Sequence, residues 1–315
     1  SFGPGKSQLV IELTKPAAVK RSDLRKSADG ATQLVLELAA TSKQAFLADD
    51  DKATAAVAAG DPIAIASVPK RRKAESRSAK PVVVVDPGHG GVDLGSRSAS
   101  GLIEKNVVLE FARRLANTLE ATGRLQVIMT RSTDEFISLK DRVDLAQQKK
   151  AGLFISLHAD WVVPKYANKA RGLAIYTRSE QASDEEARLL AMRENSADEA
   201  AGLTAPDDEE DAVQDMLTDL WQEETRVHSR LFAQKLLKQV KSASRLLVQP
   251  HRYAAFYVLR NPEVPSVLIE LGFLSNAKDA KEISSDDWQK KVAGSMLQAV
   301  EAFFAEAQQP LSAVQ

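Results

Sequence analysis

Apolar positions along the chain follow two periods, and the change from one to the other divides it. Residues 7–14 (SQLVIELT) and 32–39 (TQLVLELA) alternate apolar and polar side chains, as a half-buried strand does, and look like two copies of one pattern. Two strands alone are marginal in water, so residues 1–47 read as the remnant of a small β domain. Residues 48–80 are rich in Ala, Asp and Lys and end in the basic run PKRRKAESRSAK at 69–80, the composition of a solvated linker.

From Pro81 onward, apolar runs of strand length alternate with faces that recur every three to five residues. Val82–Asp86, 125–130 (LQVIMT), 153–158 (LFISLH), 173–177 (LAIYT) and 265–271 (PSVLIEL) predict strands. Helices are predicted by Val107, Phe111, Leu115 and Leu119, by Leu139, Val143 and Ala146, by Val227, Leu231, Leu236 and Val240, and by Trp288, Val292, Met296, Val300 and Phe304. Uninterrupted apolar strands between such helices predict an α/β fold, a three-layer αβα sandwich around a mainly parallel sheet.

One segment breaks the alternation. Residues 180–225 hold 16 Asp or Glu and only two Arg, Arg188 and Arg193, with helical stretches EEARLLAMRE and DAVQDMLTDLWQEET. They stand where a loop of about 2–6 residues would suffice. An insert this long is either functional or disordered.

Composition narrows the chemistry. The chain has 315 residues, 44% of them apolar, enough for one large domain and a smaller one. A net charge of −1 creates no field directed at nucleic acid or an anionic membrane. The absence of cysteine excludes disulfides, thiolate metal sites and a cysteine nucleophile. No apolar run approaches the roughly 20 residues of a membrane span. A chain opening on Ser1 reads as a processed or truncated product whose export signal has been removed.

Ligands of open parallel sheets bind beyond the carboxyl ends of the strands. There, strand 82–86 leads into His89, strand 153–157 into His158, and strand 266–269 into Glu270. Two imidazoles suit a divalent ion, zinc by default. Glu104, at the start of the 105–121 helix, is the best candidate for a third ligand, because glycines at 88, 90, 91, 95 and 101 let the intervening loop fold back over the strand ends. Such a set leaves one coordination position for water. Glu270 ends an otherwise apolar strand, where a carboxylate is costly without a role and where its surroundings raise its pKa, as suits a general base. Asp86 reads as orienting His89 or capping a loop, and Asp160 similarly. Arg131 and Arg142 read as ion-pairing residues in preference to substrate ligands, and His228 and His251 as surface or helix-end residues. DPGHGG lacks the features of a phosphate loop, and Ser156 lacks a nucleophile elbow.

The segments VVVDPGHGGVDLGS, GLIEKNVVLEFARRL, VIMTRSTDEFISLKDRVDLA, LFISLHAD and VPSVLIELGFLSN, in that order from about Pro81 to about Ala305, resemble the zinc-dependent N-acetylmuramoyl-L-alanine amidases of bacterial cell walls. The resemblance implies one zinc ion per chain on His89, Glu104 and His158, with Glu270 as catalytic acid and base. It implies hydrolysis of the amide between N-acetylmuramic acid and the L-alanine that begins the peptide stem of peptidoglycan. The Gram-negative division enzymes of this family are similar in two further respects. Residues 1–47 look like the last strands of their small targeting domain, and 180–225 looks like their helical insert. That implies a periplasmic, monomeric enzyme of septal splitting, whose insert blocks the zinc until an activator protein of the LytM-domain type removes it. An acidic side chain between Glu185 and Asp211 is then expected at the fourth position, with Glu194 and Glu199 the leading candidates. Leu189, Leu190, Met192 and the Leu217–Leu220–Trp221 cluster offer apolar faces for docking. Trp161 departs from the small or polar residue usual after HAD and implies altered substrate contacts. Two other readings share the metal site: a zinc peptidase cutting within the stem, and a wall-binding module with structural zinc.

Overall fold

A computed structural model describes residues 17–26, 32–40, 80–161, 170–203 and 216–307. The chain divides into two units, 1–77 and 78–315. In the first, β1 (Ala17–Lys26) pairs antiparallel with β2 (Thr32–Ala40), with a register shift between Val19 and Arg21. β2 matches the strand expected at 32–39, whereas 7–14 lies outside the described residues. β1, with its charged run KRSDLRK, was not expected to be a strand.

The second unit alternates strands and helices: β3 (Val82–Pro87), α1 (Glu104–Glu120), β4 (Gln126–Met129), α2 (Leu139–Gln148), β5 (Leu153–His158) and β6 (Leu173–Arg178). The insert follows as α3 (Glu185–Asn195) and α4 (Ala197–Ala200). Then come α5 (Met216–Val240), β7 (Leu246–Ala254), a 3₁₀ turn at Tyr257–Leu259, β8 (Ser266–Glu270), α6 (Ala277–Ile283) and α7 (Asp286–Ala307). The six-stranded sheet has the order β4-β3-β5-β8-β6-β7.

β4, β3, β5 and β8 are mutually parallel, while β6 runs antiparallel to β8 and carries β7 parallel to itself. The sheet is therefore mixed at one side. β7 was not foreseen because Pro250 and Arg252 interrupt its apolar pattern; as the outermost strand it tolerates a residue that cannot donate to a ladder. From Met216 on, the insert's second helical stretch and the helix expected from Val227 are one helix, α5, and 211–215 lie outside the described residues.

Alternate side chains of each strand serve opposite faces. Val83, Val85, Ile155, Leu157 and Ile269 pack with α1, α5 and α7 through Phe111, Leu115, Phe232, Leu236, Val292 and Met296. Val84, Phe154, Leu268 and Tyr176 pack on the other face with Leu139 and Ala146 of α2 and with Ala187, Leu190 and Ala191 of α3. The insert helix is thus part of a core, not a solvated loop.

Candidate metal centre

The parallel strands bring the expected residues to one edge. In register, Pro87 lies beside Leu157 and His158 beside Glu270. His89 follows β3 with φ at 59°, the left-handed region that a side chain other than glycine rarely adopts. Such a conformation costs on the order of 1–3 kcal/mol and persists where the surroundings hold it. Two buried arginines hold it here. Arg142 donates to the carbonyls of Pro87 and His89 at 3.0 and 2.9 Å, and Arg131 to those of Pro87 and Gly88 at 2.9 and 2.8 Å.

Asp86 does not touch His89. Its buried carboxylate accepts from Arg142 and Thr130, both at 2.6 Å, and from Ser156 at 2.7 Å. Burial pushes this group up, but the Arg142 charge and the hydroxyl bonds outweigh it and hold the carboxyl below its ordinary value. The stability this adds is present above the ordinary carboxylate range and is lost as pH falls through the lowered value. Arg131 and Arg142 are therefore buttresses of the loop and stand buried, closed to substrate. His228 lies against Phe303, and His251 sits 3.1 Å from the Thr177 hydroxyl; neither joins the site.

The residue that orients His89 is Asp93, 2.8 Å from Nδ1. A proton fixed there leaves Nε2 as a free ligand atom. The sequence offered only a weak sign of this role, since Asp93 reaches the ring through the left-handed turn of 89–91. Glu104, the first residue of α1, accepts from the backbone N–H of Ala159 and of Ser96, both at 2.8 Å, which ties the start of the helix to the end of β5. Gly95 sits with φ at 63°, and a Cβ there would stand 2.6 Å from the His89 ring and 2.8 Å from Glu104. At Gly88 a Cβ would lie 2.4 Å from the His158 ring. Both glycines are set by close approach.

The donor atoms of His89, Glu104 and His158 all lie within 4.8 Å of one another. Glu104 Oε1 is 3.1 Å from His89 Nε2 and 3.4 Å from His158 Nδ1. Both of those ring nitrogens are buried without a hydrogen-bond partner. Glu194 of α3 reaches the same point, with Oε2 3.2 Å from His158 Nδ1 and 3.6 Å from His89 Nε2. Ligand bonds of about 2.0–2.2 Å in a tetrahedral zinc site put neighbouring donors roughly 3.3–3.6 Å apart. The Glu104 and Glu194 oxygens, 3.1–3.6 Å from the two imidazole nitrogens, lie near that spacing, and orphaned imidazole nitrogens beside a carboxylate are what a metal would satisfy. Glu199 stands on α4, exposed to solvent.

Glu270 is fully buried beside this centre. Oε2 accepts from the Asp160 N–H at 3.0 Å, and Oε1 has no partner among the described residues. Burial, then the charges of Asp160, Glu104 and Glu194, push its carboxyl well above the ordinary range. Asp160 accepts from Ser96 Oγ at 3.0 Å and pairs with Arg193 of α3. Burial, with Glu104 and Glu194 close by, pushes Asp160 up to about 7 against the pull of Arg193.

The role of Asp93 can be tested directly. Asp93→Ala should weaken zinc binding about 10–100-fold, the usual cost of losing a group that orients a ligand. Competition with a chromophoric chelator would measure it, and an unchanged affinity would remove Asp93 from the site.

A family profile described as N-acetylmuramoyl-L-alanine amidase matches residues 83–302. Among curated proteins, N-acetylmuramoyl-L-alanine amidase AmiA of Escherichia coli K12 is 38% identical over 74% of this chain and 79% of its own length. Its counterpart AmiC of Neisseria meningitidis is 36% identical over 71% of this chain and 53% of its own length. Among solved structures, the catalytic domain of the amidase CwlV of Paenibacillus polymyxa aligns with a TM-score of 0.53 at 25% identity, covering 71% of this chain and 98% of that one. An amidase of Clostridium difficile 630 aligns with a TM-score of 0.53 at 26% identity, over 74% of this chain and all of that one (100%). The profile spans most of the chain and runs from β3 into α7, which between them carry every residue of the centre just described: the chain belongs to the N-acetylmuramoyl-L-alanine amidase family.

Proposed function

We propose that the chain hydrolyses the amide between the lactyl group of N-acetylmuramic acid and the L-alanine of the peptidoglycan stem, with one zinc ion held by His89, Glu104 and His158. The observation that carries this is the pair of orphaned, buried imidazole nitrogens beside Glu104, next to a carboxylate oxygen of Glu270 that is also unpartnered. The two curated relatives cited above are amidases by name, which supports peptidoglycan as the substrate. When bound, the metal supplies Lewis acidity to the carbonyl and lowers the pKa of a water. Glu270 does the proton work. Its Oε2 is anchored by the Asp160 N–H, and Oε1 takes a proton from the attacking water and hands it to the amine nitrogen as the C–N bond breaks.

The insert keeps this centre closed. Glu194 fills the position that water and substrate need, and Arg193 ties the same helix to Asp160. Ala187, Leu190 and Ala191 bury the helix face; one leucine buried in this way contributes about 1.5–3 kcal/mol. Opening therefore calls for an activator, which we assign to the LytM-domain type. Leu189 and Met192 of α3 stand partly exposed for it, Leu189 at the edge of a cavity beside the site, while the side chains of Leu217, Leu220 and Trp221 lie outside the described residues. Residues 1–47 are assigned to wall targeting, 48–80 to a linker and 81–308 to catalysis, in an exported, periplasmic enzyme of septal splitting. Among the described residues no helix is long and apolar enough to cross a membrane.

Mass spectrometry of products released from purified sacculi tests the reading. Stem peptides beginning with L-alanine, with the glycan left whole, are the expected products of the zinc-loaded chain once its insert is opened. Fragments cut within the stem would make it a peptidase. No release, with zinc confirmed bound, would make it a wall-binding module.

A further inference from the structure

The insert covers more than the metal centre. A cavity of about 510 Å³, within the range of ligand pockets, opens beside the site. Asp160, Trp161, Tyr176, Leu247, Phe273 and Arg252 contribute to its wall. Asp160 ties it to the proton-transfer carboxylate through its N–H to Glu270. The remaining lining comes largely from α3, so the space is bounded partly by the catalytic domain and partly by its own insert.

Arg252 is the one buried cation in that wall. It projects from β7 with its guanidinium 3.3 Å from the Tyr176 hydroxyl and 5.9 Å from the centre of the Tyr176 ring. Its charge is met by two carboxylates, and both belong to the insert. Asp184, the N-cap of α3, accepts from Nε at 2.9 Å and also from the second terminal nitrogen; Glu186 lies 3.1 Å away. Among the described residues, the rest of the domain offers it only the neutral phenol of Tyr176. A helix that leaves the site thus uncovers a guanidinium in an apolar wall, and such a group is costly unless another anion replaces the first. Guanidinium is also the group best shaped to take a carboxylate in two parallel hydrogen bonds.

The insert meets the domain with matched chemistry at each contact. Glu194 faces the metal donors, Arg193 faces Asp160, and Asp184 with Glu186 faces Arg252. From this we infer that Arg252 is a substrate-binding residue, the receptor for a free carboxylate of the peptide stem lying in this cavity, and that Asp184 and Glu186 occupy its place while the insert is docked. The inference rests on the peptide-amide substrate proposed above and names the part of that substrate the site selects.

The test uses the full, metal-free chain, so that turnover plays no part. D184N with E186Q removes the competing charges while Asn keeps the helix cap. Short peptides beginning with L-alanine are compared as the free C-terminal acid and as the amide. Binding is read by calorimetry and by the fluorescence of Trp161 in the cavity wall, with W161F as the blank. The double variant should bind the acid at least roughly tenfold more tightly than the amide, and the unmodified chain should bind both weakly. Adding R252Q should abolish the preference, and R252K should keep part of it. Equal binding of acid and amide, no binding of either, or a preference that survives R252Q would overturn the inference. A chain that shows the preference yet frees no L-alanine-led peptides from sacculi would instead overturn the proposed reaction and leave the carboxylate receptor standing.

Discussion

Glu270→Gln should lower turnover on peptidoglycan by about 10²–10⁴-fold, the usual contribution of a positioned acid-base group, and leave zinc affinity within a few-fold. The amide is nearly isosteric and keeps an oxygen for the bond from the Asp160 N–H, so the packing at the end of β8 survives. What it loses is a site for the proton. Oε1 is the unpartnered oxygen, buried among negative neighbours that favour the protonated acid once a proton arrives. A group in that setting can hold the proton between the attack of water and the departure of the amine. Steady-state release of stem peptides by an insert-opened chain, paired with chelator competition for the metal, separates chemistry from binding. Rates equal to those of the unmodified residue would remove Glu270 from the reaction, and a parallel loss of metal would recast it as part of the ligand shell.

His89, His158 and Glu270 were legible in the sequence for a reason rooted in the fold. Parallel strands all present their carboxyl ends to one edge, so any polar residue that closes an apolar run is carried there, whatever its distance along the chain. Glu104 was less legible because its place depends on how a 14-residue loop returns, and that return is fixed by contacts invisible in the pattern, the Ala159 and Ser96 N–H bonds. Asp93 went unseen for the same cause. It meets Nδ1 only because His89 adopts a left-handed backbone, and that conformation is held by carbonyl bonds from Arg131 and Arg142, residues distant in sequence. Asp86, nearer in sequence and conspicuous at a strand end, turned out to anchor one of those buttresses, Arg142. β7 was hidden by Pro250, which an outermost strand accepts and an inner one would not.

The insert shows where a finer reading of periodicity would have gone further. Ala187, Leu190, Ala191 and Glu194 fall at i, i+3, i+4 and i+7, one face of α3, so the carboxylate shares the buried apolar stripe. Glu199 lies beyond the end of that helix, on a separate turn where its side chain is exposed while that of Asp198 is buried. The distinction between the two candidates was thus present in the spacing, although the destination of that face was not. Which surface receives it depends on the long-range pairs of Arg193 with Asp160 and Arg252 with Asp184, and no local pattern encodes those.

Glu194→Ala should raise the basal turnover of the full, zinc-loaded chain by roughly 100-fold. Removing one partner of a buried charged contact typically costs 3–5 kcal/mol, and each 1.4 kcal/mol shifts an equilibrium tenfold, so loss of the Glu194 contact moves the closed helix towards the open state by about two decades or more. The gain stops short of full activity. Leu190 still buries its side chain, Arg193 still pairs with Asp160, and Asp184 still caps the helix and holds Arg252. Adding Arg193→Ala should therefore raise turnover again, because it cuts an independent contact of the same helix. Glu199→Ala, on the solvent side of α4, should change nothing. Dye release from labelled sacculi, measured without activator, reads all three variants. If Glu194→Ala and Glu199→Ala behave alike, the fourth position is not held by Glu194, and the closed state owes its low activity to the covered Arg252 cavity instead.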